Sequence, residues 1–423
     1  MKKIAFLFPG QGSQYVGMGK SLCDTYAAAR ETFEEANEAL GFDLKKLCFE
    51  GSLEELTKTE NTQPALLTCS VAAFRVYMKE SGMQPDFLAG HSLGEFSALT
   101  CSDAIKFSDA VKIVRQRGRF MQEAVPIGVG SMAAVSGADR AVIEEECSKY
   151  GTDGKIVVVS NYNSPEQIVI SGHTEAVVQV SENLKVKGAR VIPLKVSAPF
   201  HSPLMQPAAE CLKEEMKKYT YSEPKYPVIS NVTALPYTGS DKLVETLSLQ
   251  IVKPVRWQES IDYIKQQGVE TAVEMGPKTV LKNLMKKNAP DIITYSYDTY
   301  EDVKTFMEKV PAERKPEVSG NPSKLKLLIR CMGVAVCTKN RNWDNNEYQK
   351  GVVEPYRKIQ NMVEELERDN KEPSVEQMKE GLEMLRSVFI TKGTPLKEQK
   401  DRFNQIFDET GLGELFADFR MPE

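Results

Sequence analysis

Apolar positions run unbroken from Ile4 to Phe8 and stop at Pro9-Gly10, the pattern of a short strand buried on both faces. Phe87-Leu88-Ala89 is a second such run, and a helix-like stretch begins at Glu95. Further strand-like segments lie at 131–135, 156–159, 167–171, 190–196, 228–230 and 271–274. Helical spacing separates them, as at 140–150 and 176–187. Strands alternating with helices predict a parallel α/β sheet. From 128 to 195 the order changes to strand, helix, strand, strand, helix, strand, which is the split β-α-β of ferredoxin-like subdomains. The expected architecture is a large α/β body (residues 1–127 and 196–310) with an inserted ferredoxin-like small subdomain (residues 128–195).

Residues 311–324 carry Pro311, Pro316, Gly320 and Pro322 among charged and small residues, a linker composition. Beyond it, Val352, Tyr356, Ile359, Val363 and Leu366 step by four and three, as do Val375, Met378, Leu382, Leu385 and Phe389. These stripes predict two amphipathic helices, antiparallel around 370–373, within a helical extension spanning 325–423.

With 423 residues the chain has room for two or three domains. A net charge of −5 gives no reason to expect nucleic acid or an anionic membrane as partner. Met1-Lys2-Lys3 could open a signal peptide, but the apolar run behind it is too short for one, and no run approaches membrane-spanning length. The eight cysteines are scattered without Cys-x-x-Cys or Cys/His ligand spacing. They read as reduced thiols in a cytoplasmic protein, with no metal site.

Gly90-His91-Ser92-Leu93-Gly94 stands between a strand-like and a helix-like run, the context of a hydrolase-like nucleophile elbow. Small residues must flank the serine because the turn is tight, and the hydroxyl then sits at the positive head of a helix. Ser92 needs a base. The histidines are His91, His173 and His201. His91 adjoins the nucleophile and points elsewhere, and His173 falls in a turn of the insert, so elimination favours His201. An α/β-hydrolase would place its histidine near the end of the domain, after an acid. Here no histidine follows 201. That chain order argues against an ordinary α/β-hydrolase and allows a Ser–His dyad in which a backbone carbonyl orients the imidazole.

Seven segments in order across residues 1–290 resemble those of the malonyl-CoA:acyl-carrier-protein transacylase family. They are Phe8-Pro9-Gly10-Gln11-Gly12-Ser13-Gln14, the Ser92 motif continued to Glu95, Arg117-Gly118-Arg119-Phe120-Met121-Gln122, Asn161-Tyr162-Asn163-Ser164-Pro165, Ala198-Pro199-Phe200-His201-Ser202, Gln250 through Trp257, and Glu274-Met275-Gly276-Pro277. The resemblance implies that Ser92 attacks malonyl-CoA with His201 as base, and that the acyl-serine is then transferred to the phosphopantetheine thiol of an acyl carrier protein. It implies an oxyanion hole from the backbone N–H groups of Gln11 and Leu93, and a Gln250 backbone carbonyl holding His201. It implies that Arg117 binds the malonyl carboxylate, and that no cofactor is bound. Phe200 before the base resembles members that prefer malonyl over methylmalonyl groups. The helical tail departs from stand-alone fatty-acid members and resembles trans-acting polyketide synthase acyltransferases, with 325–423 docking a synthase or forming part of an adjoining domain, in fatty acid or polyketide biosynthesis.

Two other readings compete. An acyl-thioester hydrolase could use the same dyad, but relatives of that kind tend to lack the arginine found at 117. A scaffold that has lost activity would not keep Ser92, His201, Gln11 and Arg117 together. An acidic carrier protein calls for a basic docking face. Lys185, Lys187, Arg190 and Lys195 form one candidate, and Lys278, Lys282, Lys286 and Lys287 another, although either cluster alone reads as solvated surface.

Overall fold

The computed structural model describes residues 2–126, 128–150, 154–194, 196, 198–314, 324–338, 340–342, 344–369, 371–416 and 419. In chain order the strands among them are β1 (Lys3–Phe8), β2 (Phe87–Gly90), β3 (Gly130–Ser136), β4 (Val157–Ser164), β5 (Gln167–His173), β6 (Arg190–Pro193), β7 (Val228–Ile229), β8 (Val269–Glu274) and β9 (Ile293–Ser296).

A five-stranded sheet runs β7-β2-β1-β8-β9 with every pair parallel. β1 is its centre, which is why its sequence is continuously apolar: Ile4, Phe6 and Phe8 enter one core and Ala5 and Leu7 the other. Phe6 meets the ring of Tyr77 edge-on at 4.8 Å, anchoring the 23-residue helix Thr59–Ser81 on that face. Phe8 lies opposite Gly90 and Leu7 opposite Glu274, so β1, β2 and β8 end together. Loops at the carboxyl ends of parallel strands are where such sheets build sites. β9 has no counterpart in the sequence-based expectations. It is a four-residue edge strand with Ile293 exposed, so it lacks the apolar run of a central strand. The helix expected from Glu95 begins two residues earlier, as Leu93–Cys101.

The second sheet is antiparallel in the order β4-β5-β3-β6. Helices Arg140–Tyr150 and Thr174–Val186 pack on it around Ile143, Val159, Ile170, Val180 and Leu184. It is tied to the body where Tyr162 N–H donates to the Val255 carbonyl and Val255 N–H to that of Ser160, each over 2.9 Å. β6 stops at Pro193, short of the expected 196. Lys195 lies outside the described residues.

The chain divides into two compact units, residues 1–315 and 316–423. The expected linker at 311–324 begins inside the helix Tyr300–Arg314, and its residues 315–323 lie outside the described ones. The second unit comprises helices Lys324–Cys337, Asn345–Tyr348, Glu354–Arg368, Val375–Thr391 and Leu396–Thr410, with a π-helical turn at Gln349–Val353. Its own core contains Leu328, Leu382, Leu385, Phe389 and Phe403. Ser374 and Gln377 form a capping box that starts the helix Val375–Thr391. Asn370, in the expected turn, lies outside the described residues. Cysteines 23, 48, 69, 101, 147, 211 and 331 are free thiols. Among the described residues no helix is long and apolar enough to cross a membrane.

Candidate active site

The elbow after β2 depends on two glycines. A Cβ at Gly90 would lie 1.9 Å from the Gly94 backbone, and one at Gly94 would lie 1.9 Å from the carbonyl oxygen of Phe8. Ser92 between them takes φ 51° and ψ −105°, a conformation that side-chain-bearing residues avoid, and caps the helix Leu93–Cys101. Asn231, just beyond β7, pins this turn. Its Oδ1 accepts from Ser92 N–H at 2.7 Å, and its Nδ2 donates to the Gly90 carbonyl at 2.7 Å.

Ser92 Oγ lies 2.8 Å from His201 Nε2, and His201 Nδ1 lies 2.7 Å from the backbone carbonyl of Gln250. A carbonyl only accepts, so Nδ1 carries the proton and Nε2 presents its lone pair to the serine hydroxyl. Burial, with repulsion from Arg117 behind it, lowers the His201 pKa to about 3. The imidazole is therefore a neutral acceptor near pH 7. His201 also has positive φ, 56°.

Arg117 enters from the helix Phe107–Glu123 and is only 1% exposed. Its Nη2 donates to Gln250 Oε1 at 2.8 Å and to Ser92 Oγ at 3.3 Å, while its Nε has no hydrogen-bond partner. Burial lowers its pKa to about 10 against the attraction of Glu95, so it keeps its charge. Its helix neighbours diverge from it: Arg115 lies over the Phe42 ring at 4.2 Å, and Arg119 pairs with Glu123 at 2.9 Å.

Behind the dyad lies Glu95, fully buried. Its Oε1 accepts from the Tyr237 hydroxyl at 2.5 Å. Its Oε2 accepts from Gln250 Nε2 at 2.6 Å and from Asn231 N–H at 3.2 Å. Burial pushes its carboxyl up to about 7 against the pull of these donors. Gln250 Nε2 donates as well to the Ser92 carbonyl at 2.9 Å. Sequence reasoning did not single out Glu95, Asn231 or Tyr237.

Ser92, His201, Arg117, Gln11 and Leu93 line one cavity of about 520 Å³. Leu93 is the first residue of its helix, where a backbone N–H has no intrahelical acceptor. Met132, Val169 and Leu194 of the small-sheet region form another wall, and Gln63 contributes a buried, unpartnered Oε1 that the sequence did not flag. His91 turns away: its Nε2 bonds Asn163 Oδ1 at 2.8 Å and its ring sits 5.6 Å from Trp257. His173 Nδ1 accepts from Ile156 N–H at the small sheet. The two lysine clusters are largely tied up. Lys187 pairs with Glu146, Lys185 with Glu182, Lys282 with Asp302 and Lys287 with Glu166, while Lys278 Nζ donates to the Gly12 carbonyl. A separate cavity of about 330 Å³ in the C-terminal unit is lined by Tyr348, Val352, Tyr356, Arg357 and Lys392.

The acyl transferase domain family matches residues 5–314. A malonyl CoA-acyl carrier protein transacylase of Bacillus subtilis is 41% identical over 399 residues, covering 94% of this chain and 99% of that protein. The protein of the same description from Escherichia coli (strain K12) is 48% identical over 288 residues, covering 68% and 93%. Among solved structures, the malonyl CoA-acyl carrier protein transacylase of Coxiella burnetii superposes with a TM-score of 0.72 at 42% identity, covering 73% of this chain and 98% of its own. A type II PKS acyl-carrier protein in complex with its malonyl-transacylase gives a TM-score of 0.70 at 40% identity, covering 72% and 99%.

Proposed function

Since the chain belongs to the acyl transferase family, among its malonyl CoA-acyl carrier protein transacylases, we propose that it moves a malonyl group from coenzyme A to the phosphopantetheine thiol of an acyl carrier protein. Ser92 Oγ attacks the thioester carbonyl while His201 Nε2 takes its proton. The oxyanion is held by the N–H groups of Gln11 and Leu93, at the positive end of the helix Leu93–Cys101. The carbon–sulfur bond breaks, His201 returns the proton to the departing thiolate, and malonyl-Ser92 remains. The carrier thiol then gives its proton to His201, attacks the ester, and the same steps run in reverse. The Gln250 carbonyl keeps the imidazole in the tautomer both halves need.

One observation carries the substrate assignment: a buried guanidinium with a free Nε stands one hydrogen bond from the nucleophile. Malonyl has a single methylene between thioester carbonyl and carboxylate, so its carboxylate-binding group must sit beside the attacking oxygen. An acetyl group would leave the charge buried and unpaired, which is costly. A hydrolase acting on uncharged acyl chains would give this guanidinium no task.

The body (residues 1–127 and 196–310) is read as hydrolase-like and the insert (residues 128–195) as a ferredoxin-like lid wall of the acyl pocket. The parallel five-stranded sheet and the βαββαβ order of the antiparallel one support this. The protein is assigned to the cytoplasm, in keeping with its free thiols. The C-terminal unit is assigned to docking a polyketide synthase module. The separate core of that unit supports a role apart from the catalytic body, and the Bacillus subtilis relative, whose match is longer than the 315-residue first unit, shares at least part of it.

The test is intact-protein mass after brief exposure to malonyl-CoA or acetyl-CoA, followed by addition of holo carrier protein. Malonyl labelling that is absent in Ser92→Ala and chased onto the carrier is expected. Equal acetyl labelling would remove the role of Arg117, and release of free malonate in place of transfer would make the protein a hydrolase.

A further inference from the structure

We infer that Glu95 is a positioning residue that sets the preference for acyl groups ending in a carboxylate, by fixing which way the Gln250 amide faces. The inference rests on the reading that Arg117 binds that carboxylate. A glutamine amide can sit either way round, with its oxygen and nitrogen exchanged. Here the choice is forced. Glu95 accepts from Tyr237, Asn231 and Gln250, and because the Asn231 backbone N–H can only donate, the Oε2 it shares with Gln250 must be an acceptor. The nitrogen of Gln250 must therefore face Glu95 at 2.6 Å, where it also reaches the Ser92 carbonyl at 2.9 Å, and this leaves Oε1 facing Arg117 Nη2 at 2.8 Å. With the amide reversed, nitrogen would meet nitrogen, donor against donor, and the guanidinium would be pushed from Ser92.

The indirect arrangement has a chemical reason. A buried arginine needs a counter-charge nearby. A carboxylate bonded directly to Arg117 would supply one, but it would occupy the donors that a substrate carboxylate must use. Glu95 acts instead through a neutral amide, so Arg117 is positioned while its Nε stays free. Tyr237 and Asn231 hold Glu95 from its far side, and Asn231 also holds the Ser92 N–H, so nucleophile and guanidinium share one reference point.

The experiment compares transfer from malonyl-CoA and acetyl-CoA by the full-length protein and its Glu95→Leu, Glu95→Gln and Arg117→Ala variants. Glu95→Leu should lower the malonyl-to-acetyl ratio of kcat/KM by about tenfold or more, chiefly through a higher malonyl KM, as expected for a misdirected charge-assisted hydrogen bond. Glu95→Gln keeps an oxygen to accept from Gln250 and should keep the parent ratio. Equal losses on both substrates in Glu95→Leu, or a Glu95→Gln ratio that falls as far as that of Glu95→Leu, would overturn the inference. If Glu95→Leu fails to fold, Gln250→Leu removes the same relay and keeps the backbone carbonyl, and an unchanged ratio there would overturn it equally. A ratio that collapses in Arg117→Ala but holds in Glu95→Leu refutes the positioning role alone. A ratio that holds in Arg117→Ala refutes the underlying reading together with it.

Discussion

His201 is held by the backbone of Gln250, not by a carboxylate: its Nδ1 donates to the Gln250 carbonyl over 2.7 Å. A peptide oxygen orients the ring without adding negative charge, so burial and Arg117 act on the imidazole unopposed by a counter-ion and hold its pKa at about 3.

The acid limb of the acylation rate should therefore lie far below neutrality, because protonating His201 requires strong acid. Removing the Arg117 charge lifts one of the two effects lowering that pKa. In Arg117→Ala the limb should move to higher pH while staying below the ordinary histidine value of 6.5, since the ring remains buried. Single-turnover acetylation of Ser92 across the acid range measures this. A limb that moves to lower pH in the variant would contradict the electrostatic account.

Gly94 approaches β1 so closely that a methyl group there would strike the Phe8 carbonyl at 1.9 Å. Gly94→Ala should cost on the order of 3 kcal/mol of stability, as overpacking against rigid backbone does. It should also lower Ser92 acylation by displacing the elbow. Denaturant titration and mass labelling of the same preparation would show both.

Glu95 is held in the folded protein with its pKa raised from 4.5 to about 7, burial being the main cause. The native state then binds the proton more tightly than the unfolded chain does. The stability contribution is fully present below about 4.5 and is lost as pH rises through about 7. Glu95→Gln should consequently melt above the parent at pH of about 8, by up to the order of 3 kcal/mol. The gap should close toward a pH of about 5. Melting curves at the two pH values decide it, and a gap that widens in acid would show the sign to be wrong.

The two units have separate apolar cores. A chain ending at residue 315 should keep malonyl transfer to a free carrier protein within about threefold of the full chain. Transfer to a carrier embedded in a synthase module should weaken. A truncated body that no longer labels at Ser92 would make the tail part of the catalytic fold.

What could be read from the chain alone follows from how local each signal is. β1 and β2 were legible because burial on both faces leaves continuous apolar runs, and the elbow because its glycines surround the serine directly. His201 was reachable because so few histidines compete. The edge strand β9 was not, since Ile293 is exposed and the strand lacks a clear pattern. The role of Glu95, though it stands in the Ser92 motif, was hidden for a different reason. An acid in the first turn of a helix is ordinary, because it suits the helix dipole. Only the fold brings Tyr237, Asn231 and Gln250 onto it from positions more than 130 residues away. The side chain of Gln250 was likewise hidden behind the role that family resemblance gave its carbonyl.

Both reacting residues, Ser92 at φ 51° and His201 at φ 56°, hold torsions that glycine would adopt without penalty. Glycine at either position would relax the backbone and remove the reacting group in one step. Thermostability screening without an activity filter would therefore tend to enrich inert proteins, and heat tolerance alone is a poor guide to which variants still work.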